Sequence, residues 1–255
     1  MQEGKVFMDF TFDEYAAIID SLKRSGYKIT DYQCSQYAAG KRAILRHDVD
    51  LSLEKAAIFS DFERQLDVSS TYFILLTSDF YNFLCRDSLE SIKRILDNGH
   101  EIGLHFDETQ YNFAFDTNRN EAMCSAIQKE AMLMEEIIGS DYKVRSVSMH
   151  IPSKATLESN LEIPGIVNSY SKEFFMNWKY VSDSEMRWRE DVFDIINSGK
   201  YADLHILTHP FWYSESNETK QYKVYNFLKA RKVAAFNDMK IITPGIETET
   251  DLESI

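Results

Sequence analysis

Along this 255-residue chain, carboxylates and imidazoles recur just after short apolar runs: Asp48 and Asp50, His105, His150, Asp183 and His209. These are oxygen and nitrogen ligands for a divalent metal such as zinc. Asp48 and Asp50 close the string Arg46-His47-Asp48-Val49-Asp50 and, two residues apart on an extended strand, point the same way. Two ionised carboxylates on one face repel unless a cation lies between them or one holds a proton. A metal beside one relieves that repulsion and leaves the other to act as a general base on metal-bound water. The competing reading is a solvated turn at a helix start, where Asp is a favoured cap.

The histidines sort by position. His100 precedes the apolar run 101–106 and reads as structural, whereas His105 sits near the run's exit. His205 and His209 flank the last apolar run; His209, before Pro210, is at the exit, and His205 is deeper and reads as structural. Trp188, Trp212 and Tyr213 offer flat faces that suit the apolar side of a sugar ring, although rim packing explains them equally well.

The elements that must position these groups alternate. A capping box at Thr11 and Glu14 opens a helix over 11–25, with Tyr15, Ile18, Ile19 and Leu22 at helical spacing. Strands are expected at 43–45, 71–76, 101–106, 144–149, 166–168, 180–181 and 204–207, with helices at 53–64, 88–96, 121–138 and 222–235. Alternating strands and helices imply parallel strands joined by crossovers, and about seven strands imply an α/β fold of the closed or nearly closed β/α barrel type. The residues just past the strands' carboxyl ends then converge on one face. No glycine-rich phosphate loop follows any strand, which removes dinucleotide chemistry.

Composition bounds the rest. With 44% hydrophobic residues and no linker-like stretch, one domain over 1–255 is expected: the N-terminal helix, a barrel core over about 43–240 and an acidic tail over 247–255. A net charge of −13 disfavours nucleic acid and anionic membrane surfaces as partners. No apolar run approaches membrane-span length, the N-terminus lacks a secretory pattern, and three widely spaced cysteines read as reduced thiols. A cytoplasmic location is the expectation.

Together, Arg46 through Asp50, Gly99 through His105 and Leu207-Thr208-His209-Pro210 resemble the polysaccharide deacetylases, the NodB-homology group of carbohydrate esterase family four. The stretch 180–184 with Trp188 looks closest to the WbmS-like subgroup associated with surface-polysaccharide gene clusters. The resemblance implies a distorted barrel of fewer than eight strands and a metal-dependent removal of an N-acyl group from an amino sugar. It implies Asp48 as catalytic base, Asp50 and His105 as metal ligands, and His209 as general acid, with Asp183 and Trp188 in a support motif beside that histidine. The family places its second metal histidine four residues after the first, and Thr109 stands there in this chain; His150 or Asp107 must complete the site instead. The metal is expected to be zinc, with cobalt, manganese or nickel as substitutes, and the substrate a small carbohydrate or sugar nucleotide contacted by Arg46, Asp183, Trp188, Trp212 and Tyr213. The rival readings are a catalytically inactive sugar-binding barrel and an O-acetyl esterase.

Overall fold

The computed structural model describes residues 8–113, 118–139 and 141–243; the tail expected over 247–255 lies outside them. The chain divides into two compact units, Met1–Glu215 and Ser216–Ile255. The first holds strands β1 (Lys28–Thr30), β2 (Arg42–Val49), β3 (Thr71–Leu75), β4 (Glu101–Phe106), β5 (Ser146–Met149), β6 (Val167–Asn168), β7 (Lys179–Ser182) and β8 (Asp203–Thr208). It also holds helices α1 (Phe12–Arg24), α2 (Leu53–Gln65), α3 (Arg86–Asp97), α4 (Arg119–Ile138), α5 (Lys154–Ser159) and α6 (Val192–Asn197). The second unit contains helix α7 (Lys220–Ile242), capped by Thr219, whose side chain accepts from the Tyr222 amide.

All the strand pairs are parallel, and seven strands run in the order β6-β5-β4-β3-β2-β8-β7. The sheet curls into a half-barrel, as the alternation of elements predicts; its edge strands β6 and β7 do not pair. The strand absent from the sequence reading is β1, whose three residues pair with the first half of β2. At three residues it is too short for periodicity to mark it. Strand β2 also runs further than its apolar core suggests, through Arg46, His47 and Asp48 to Val49, all buried.

Period two along β2 splits those side chains between the faces. Ile44, Arg46 and Asp48 face the barrel interior, where Ile44 packs with Tyr32, Phe73, Phe174 and Trp178. Gly103 on β4 admits this packing: a Cβ there would lie 2.5 Å from Cε1 of Phe73 and 2.8 Å from Oγ of Ser146. His205 also faces inward, donating from Nδ1 to the Phe174 carbonyl at 3.1 Å and accepting from the Tyr32 hydroxyl at 2.7 Å. Burial, aided by the nearby Arg46 charge, pushes its pKa down to about 3, so it is neutral and structural.

His47 faces the helices instead. Its Nε2 lies 3.0 Å from Glu63 of α2, and its Nδ1 lies 2.6 Å from the Thr208 hydroxyl. Glu63 is fully buried and also accepts from the hydroxyls of Tyr15 on α1 (2.5 Å), Ser70 (2.5 Å) and Tyr72 on β3 (2.7 Å). His100 stands 3.5 Å away, in the structural role its position predicted. One carboxylate thus ties two helices to β2, β3 and the approach to β4.

Burial alone would raise the Glu63 pKa, but His47 first, then His100 and the Ser70 hydroxyl, hold it at about 2, against an ordinary 4.5. A depressed pKa stabilises the fold above pH 4.5, and that contribution, about 3 kcal/mol, is lost as pH falls toward 2. Glu63→Gln should lower unfolding stability at pH 7 by about 2–4 kcal/mol and flatten the loss between pH 5 and 2, measured by urea denaturation across pH. Gly103→Ala should cost about 1–3 kcal/mol by the same measurement, because the added methyl must displace the Phe73 ring.

Candidate metal centre

The carboxyl ends of β2, β4, β5, β7 and β8 carry the site. Asp50 lies just past β2, and its backbone carbonyl accepts from the Ser78 hydroxyl at 2.7 Å. The preceding carbonyl, of Val49, accepts from the Tyr81 hydroxyl at 2.6 Å. These two hydroxyls from the segment after β3 fix the height of Asp50 above the sheet, and nothing in the local sequence pattern marked them.

Asp50, His105 and His150 form a group whose candidate ligand atoms all lie within 4.8 Å of one another. Oδ1 of Asp50 is 3.1 Å from Nε2 of His105 and 3.4 Å from Nδ1 of His150, and the two ring nitrogens are 3.2 Å apart. Three donors at such separations fit one face of the coordination shell of a divalent cation with bonds of about 2.0–2.2 Å. Oδ1 of Asp50 is also buried without a hydrogen-bond partner, which a cation would supply. Burial would raise the Asp50 pKa, but His105 and then His150 and His209 hold it well below the carboxylate range. Two nitrogens and one carboxylate oxygen are a donor set that would suit zinc.

Of the two alternatives for the third ligand, the structure brings His150 to this group. Asp107 is consumed elsewhere. Its carboxylate caps the turn 108–110, accepting from the Thr109 backbone amide (2.9 Å), the Thr109 hydroxyl (2.7 Å) and the Gln110 side-chain Nε2 (2.9 Å). Thr109, standing where a histidine was expected, is the residue that occupies Asp107. His150 extends the inward-facing series Ser146, Ser148, His150, a period-two signal in the sequence.

Asp48 lies one step deeper on the same face. Arg46 grips it with two hydrogen bonds, Nε to Oδ1 at 2.9 Å and Nη2 to Oδ2 at 2.7 Å. Nη2 also donates to the Ser148 hydroxyl, and the guanidinium lies over the Tyr170 ring at 4.6 Å. Burial would raise the Asp48 pKa, yet the Arg46 charge, followed by His105, lowers it below the ordinary value. Asp48 therefore stays ionised with its Oδ2 3.7 Å from Nε2 of His105.

His209 follows β8. Its Nδ1 contacts Oδ1 of Asp183 at 2.6 Å, its backbone amide donates to Oδ2 at 3.0 Å, and the Tyr213 hydroxyl adds a third donor at 3.2 Å. Nε2 faces Asp50 from 3.9 Å. Burial would lower the His209 pKa, but Asp183, with Asp50 and Asp48 behind it, raises it to about 9. The imidazole is held protonated, in one orientation.

A cavity of about 700 Å³ opens over these groups and is lined by Asp48, Asp50, His105, His150 and His209. Arg46, Asp183, Trp188, Trp212 and Tyr213, expected to touch substrate, are absent from its wall. Arg46 and Asp183 are fully buried because each neutralises and orients a catalytic candidate, and Tyr213 serves Asp183. Trp212 is buried against Phe211, with ring centroids 4.8 Å apart. The aromatic wall is instead Tyr170, Phe175 and Tyr180, with Phe175 5.1 Å from each of the other rings. They lie within one local segment, from just after β6 through the helical turn 173–177 to β7, whose weak elements gave no period to mark them.

No family model and no curated protein matches the chain. Among solved structures, it is similar to a CE4 family pseudoenzyme from Bacillus anthracis, at 17% identity and a TM-score of 0.42, over 75% of this chain and 62% of that one. The chain thus spans less than two thirds of that protein. A family 4 carbohydrate esterase from Bacillus anthracis matches at 14% identity and a TM-score of 0.40, over 84% and 85% of the two chains. A Streptococcus pyogenes deacetylase in complex with acetate matches at 11% identity and a TM-score of 0.43, over 78% and 81%.

The ligand assignment is checked by zinc titration with a competing chelator. His150→Ala should weaken zinc binding more than about hundredfold, whereas Asp107→Ala, which removes a turn cap, should leave it within about threefold. The reverse order would move the third ligand to Asp107.

Proposed function

We propose that this protein is a metal-dependent hydrolase that removes an N-acyl group from an amino sugar. The reading is carried by one arrangement: the Asp50–His105–His150 donor triangle, with atoms 3.1–3.4 Å apart, flanked by a carboxylate paired to arginine and an imidazole paired to a buried carboxylate. The first pairing suits a proton acceptor and the second a proton donor.

A divalent cation on Asp50, His105 and His150, zinc by donor type, supplies Lewis acidity toward the acyl carbonyl and toward water. Asp48, kept ionised by Arg46, takes the proton of the attacking water as its oxygen bonds to the carbonyl carbon. His209, with Nδ1 on Asp183, presents Nε2 to the cavity and gives its proton to the nitrogen as the carbon–nitrogen bond breaks. The products are a carboxylic acid and a free amine; Asp48 returns its proton to solvent and His209 regains one. Resemblance of the motifs to the WbmS-like subgroup extends the reading to surface-polysaccharide metabolism in the cytoplasm, with a small glycoside or sugar nucleotide as substrate. No described helix is long and apolar enough to cross a membrane.

The test is release of acid and amine from N-acylated amino sugars by zinc-loaded protein. Asp48→Asn should lower kcat by roughly 10²- to 10⁴-fold, about 3–5 kcal/mol of barrier, while zinc binding persists. Near-full activity of Asp48→Asn would remove it as the base. Acid release from O-acetylated sugars alone would make the protein an esterase, and sugar binding without turnover would make it a binding barrel.

A further inference from the structure

A histidine that binds a metal through one ring nitrogen ordinarily donates the other N–H to a carboxylate, a carbonyl or water, and that bond fixes the ring. The two imidazoles of the donor triangle lack such a partner. Nδ1 of His105 is buried without a hydrogen bond, and among the described residues the His150 ring hydrogen-bonds only within the triangle. The backbone that carries the rings must therefore hold them in place. For His105 the sheet does so, because β4 pairs with β3 on one side and β5 on the other. His150 lies one residue past β5, and its amide donates to the Phe106 carbonyl at 2.8 Å.

Beyond His150 the chain turns through Ile151 at φ +46°. A β-branched residue in left-handed backbone is a conformational outlier that persists only where the surroundings impose it. Glu108 is placed to impose it. This residue follows His105 by three positions, as Ser153 follows His150. Its Oε1 accepts from the Ser153 amide, and its Oε2 accepts from the Thr156 hydroxyl of α5 at 2.6 Å and from Nη2 of Arg119 on α4. The same Nη2 donates to the Thr156 oxygen at 2.6 Å, which closes the cluster. Only 9% of the Glu108 side chain is exposed, so water competes little for these bonds. The Phe106 carbonyl thus pins the chain before Ile151, and Glu108 pins it after.

Resting on the metal reading above, we infer that Glu108 is a positioning residue for the donor triangle. It lies outside the cavity wall and acts through the backbone. Its carboxylate joins the turn after one histidine to the segment after the other, keeps the link 151–152 in its strained turn, and so sets where His150 stands beside His105.

The test measures zinc affinity of the full chain against a competing chelator, and ligand geometry by the visible absorption of the cobalt-loaded protein. Glu108→Ala should weaken zinc binding about ten- to hundredfold and alter the cobalt spectrum. Ile151→Asn, which tolerates left-handed backbone, should by itself leave zinc affinity within about threefold and should recover most of the loss in the double variant, because the link then has no strain to release. Arg119→Gln removes only the charge that grips Glu108 and should weaken zinc at least about threefold, which decides the matter even where Glu108→Ala does not fold. Unchanged affinity in both Glu108→Ala and Arg119→Gln overturns the inference and leaves the metal reading standing. Weaker binding that keeps the wild-type cobalt spectrum and is not recovered by Ile151→Asn makes Glu108 a contributor to stability alone and also overturns it. A wild-type chain that takes up no stoichiometric zinc or cobalt overturns the metal reading, and the inference with it.

Discussion

Strand β2 carries Arg46, His47 and Asp48 through a part of the fold that water does not reach, and much of the surrounding structure answers that constraint. A buried charge without a partner is costly, so each side chain must be neutralised on its own face of the sheet. Inside the barrel the partners are each other: a guanidinium and a carboxylate two residues apart, locked by paired hydrogen bonds. Outside, His47 meets Glu63, and three hydroxyls from α1, β3 and its approach complete that carboxylate's shell. The same strand therefore anchors the helix layer and prepares the chemistry. Removing either network would be felt as a stability change and a site change together, since β2 also carries Asp50 at its end.

The acid–base candidates follow one design with opposite sign. Asp48 is held ionised by a buried cation, and His209 is held protonated by a buried anion. In each case the supporting charge, Arg46 or Asp183, is hidden from the cavity, so its field acts on the catalytic candidate without competing for substrate. This separates groups that touch a ligand from groups that position them, a distinction that proximity along the chain blurs. Tyr213 belongs with the second set: its hydroxyl completes Asp183 while its ring packs on Tyr15 and Phe59.

The candidate donor triangle draws its side chains from the exits of β2, β4 and β5. The expected histidine position holds Thr109, which is exposed and donates its hydroxyl to the Asp107 carboxylate that caps this turn. A second ring nitrogen stands at the exit of the neighbouring strand, where His150 is the next position of the period-two series after Ser146 and Ser148. Parallel neighbours in register allow this, because adjacent strands present their exits side by side. The cost is local. The chain leaves His150 through Ile151 in a left-handed conformation, and two further left-handed residues, Glu185 and Met186, follow β7.

What the sequence determined by itself was periodic or local. The alternation of elements specified a barrel of parallel strands, the Thr11 cap specified where α1 begins, and the placement of Asp48, Asp50, His105 and His209 at strand exits specified which groups would meet. These depend on backbone periodicity, which neighbours in sequence control. What the tertiary structure alone decided was the choice among partners. Arg46 pairs with Asp48, His150 rather than Asp107 stands beside Asp50 and His105, and Tyr170, Phe175 and Tyr180 rather than Trp188, Trp212 and Tyr213 line the cavity. The reason is burial and distance across strands: the curl of the sheet sets which side chains reach the cavity and which are sealed behind it, and no spacing along the chain encodes that curl.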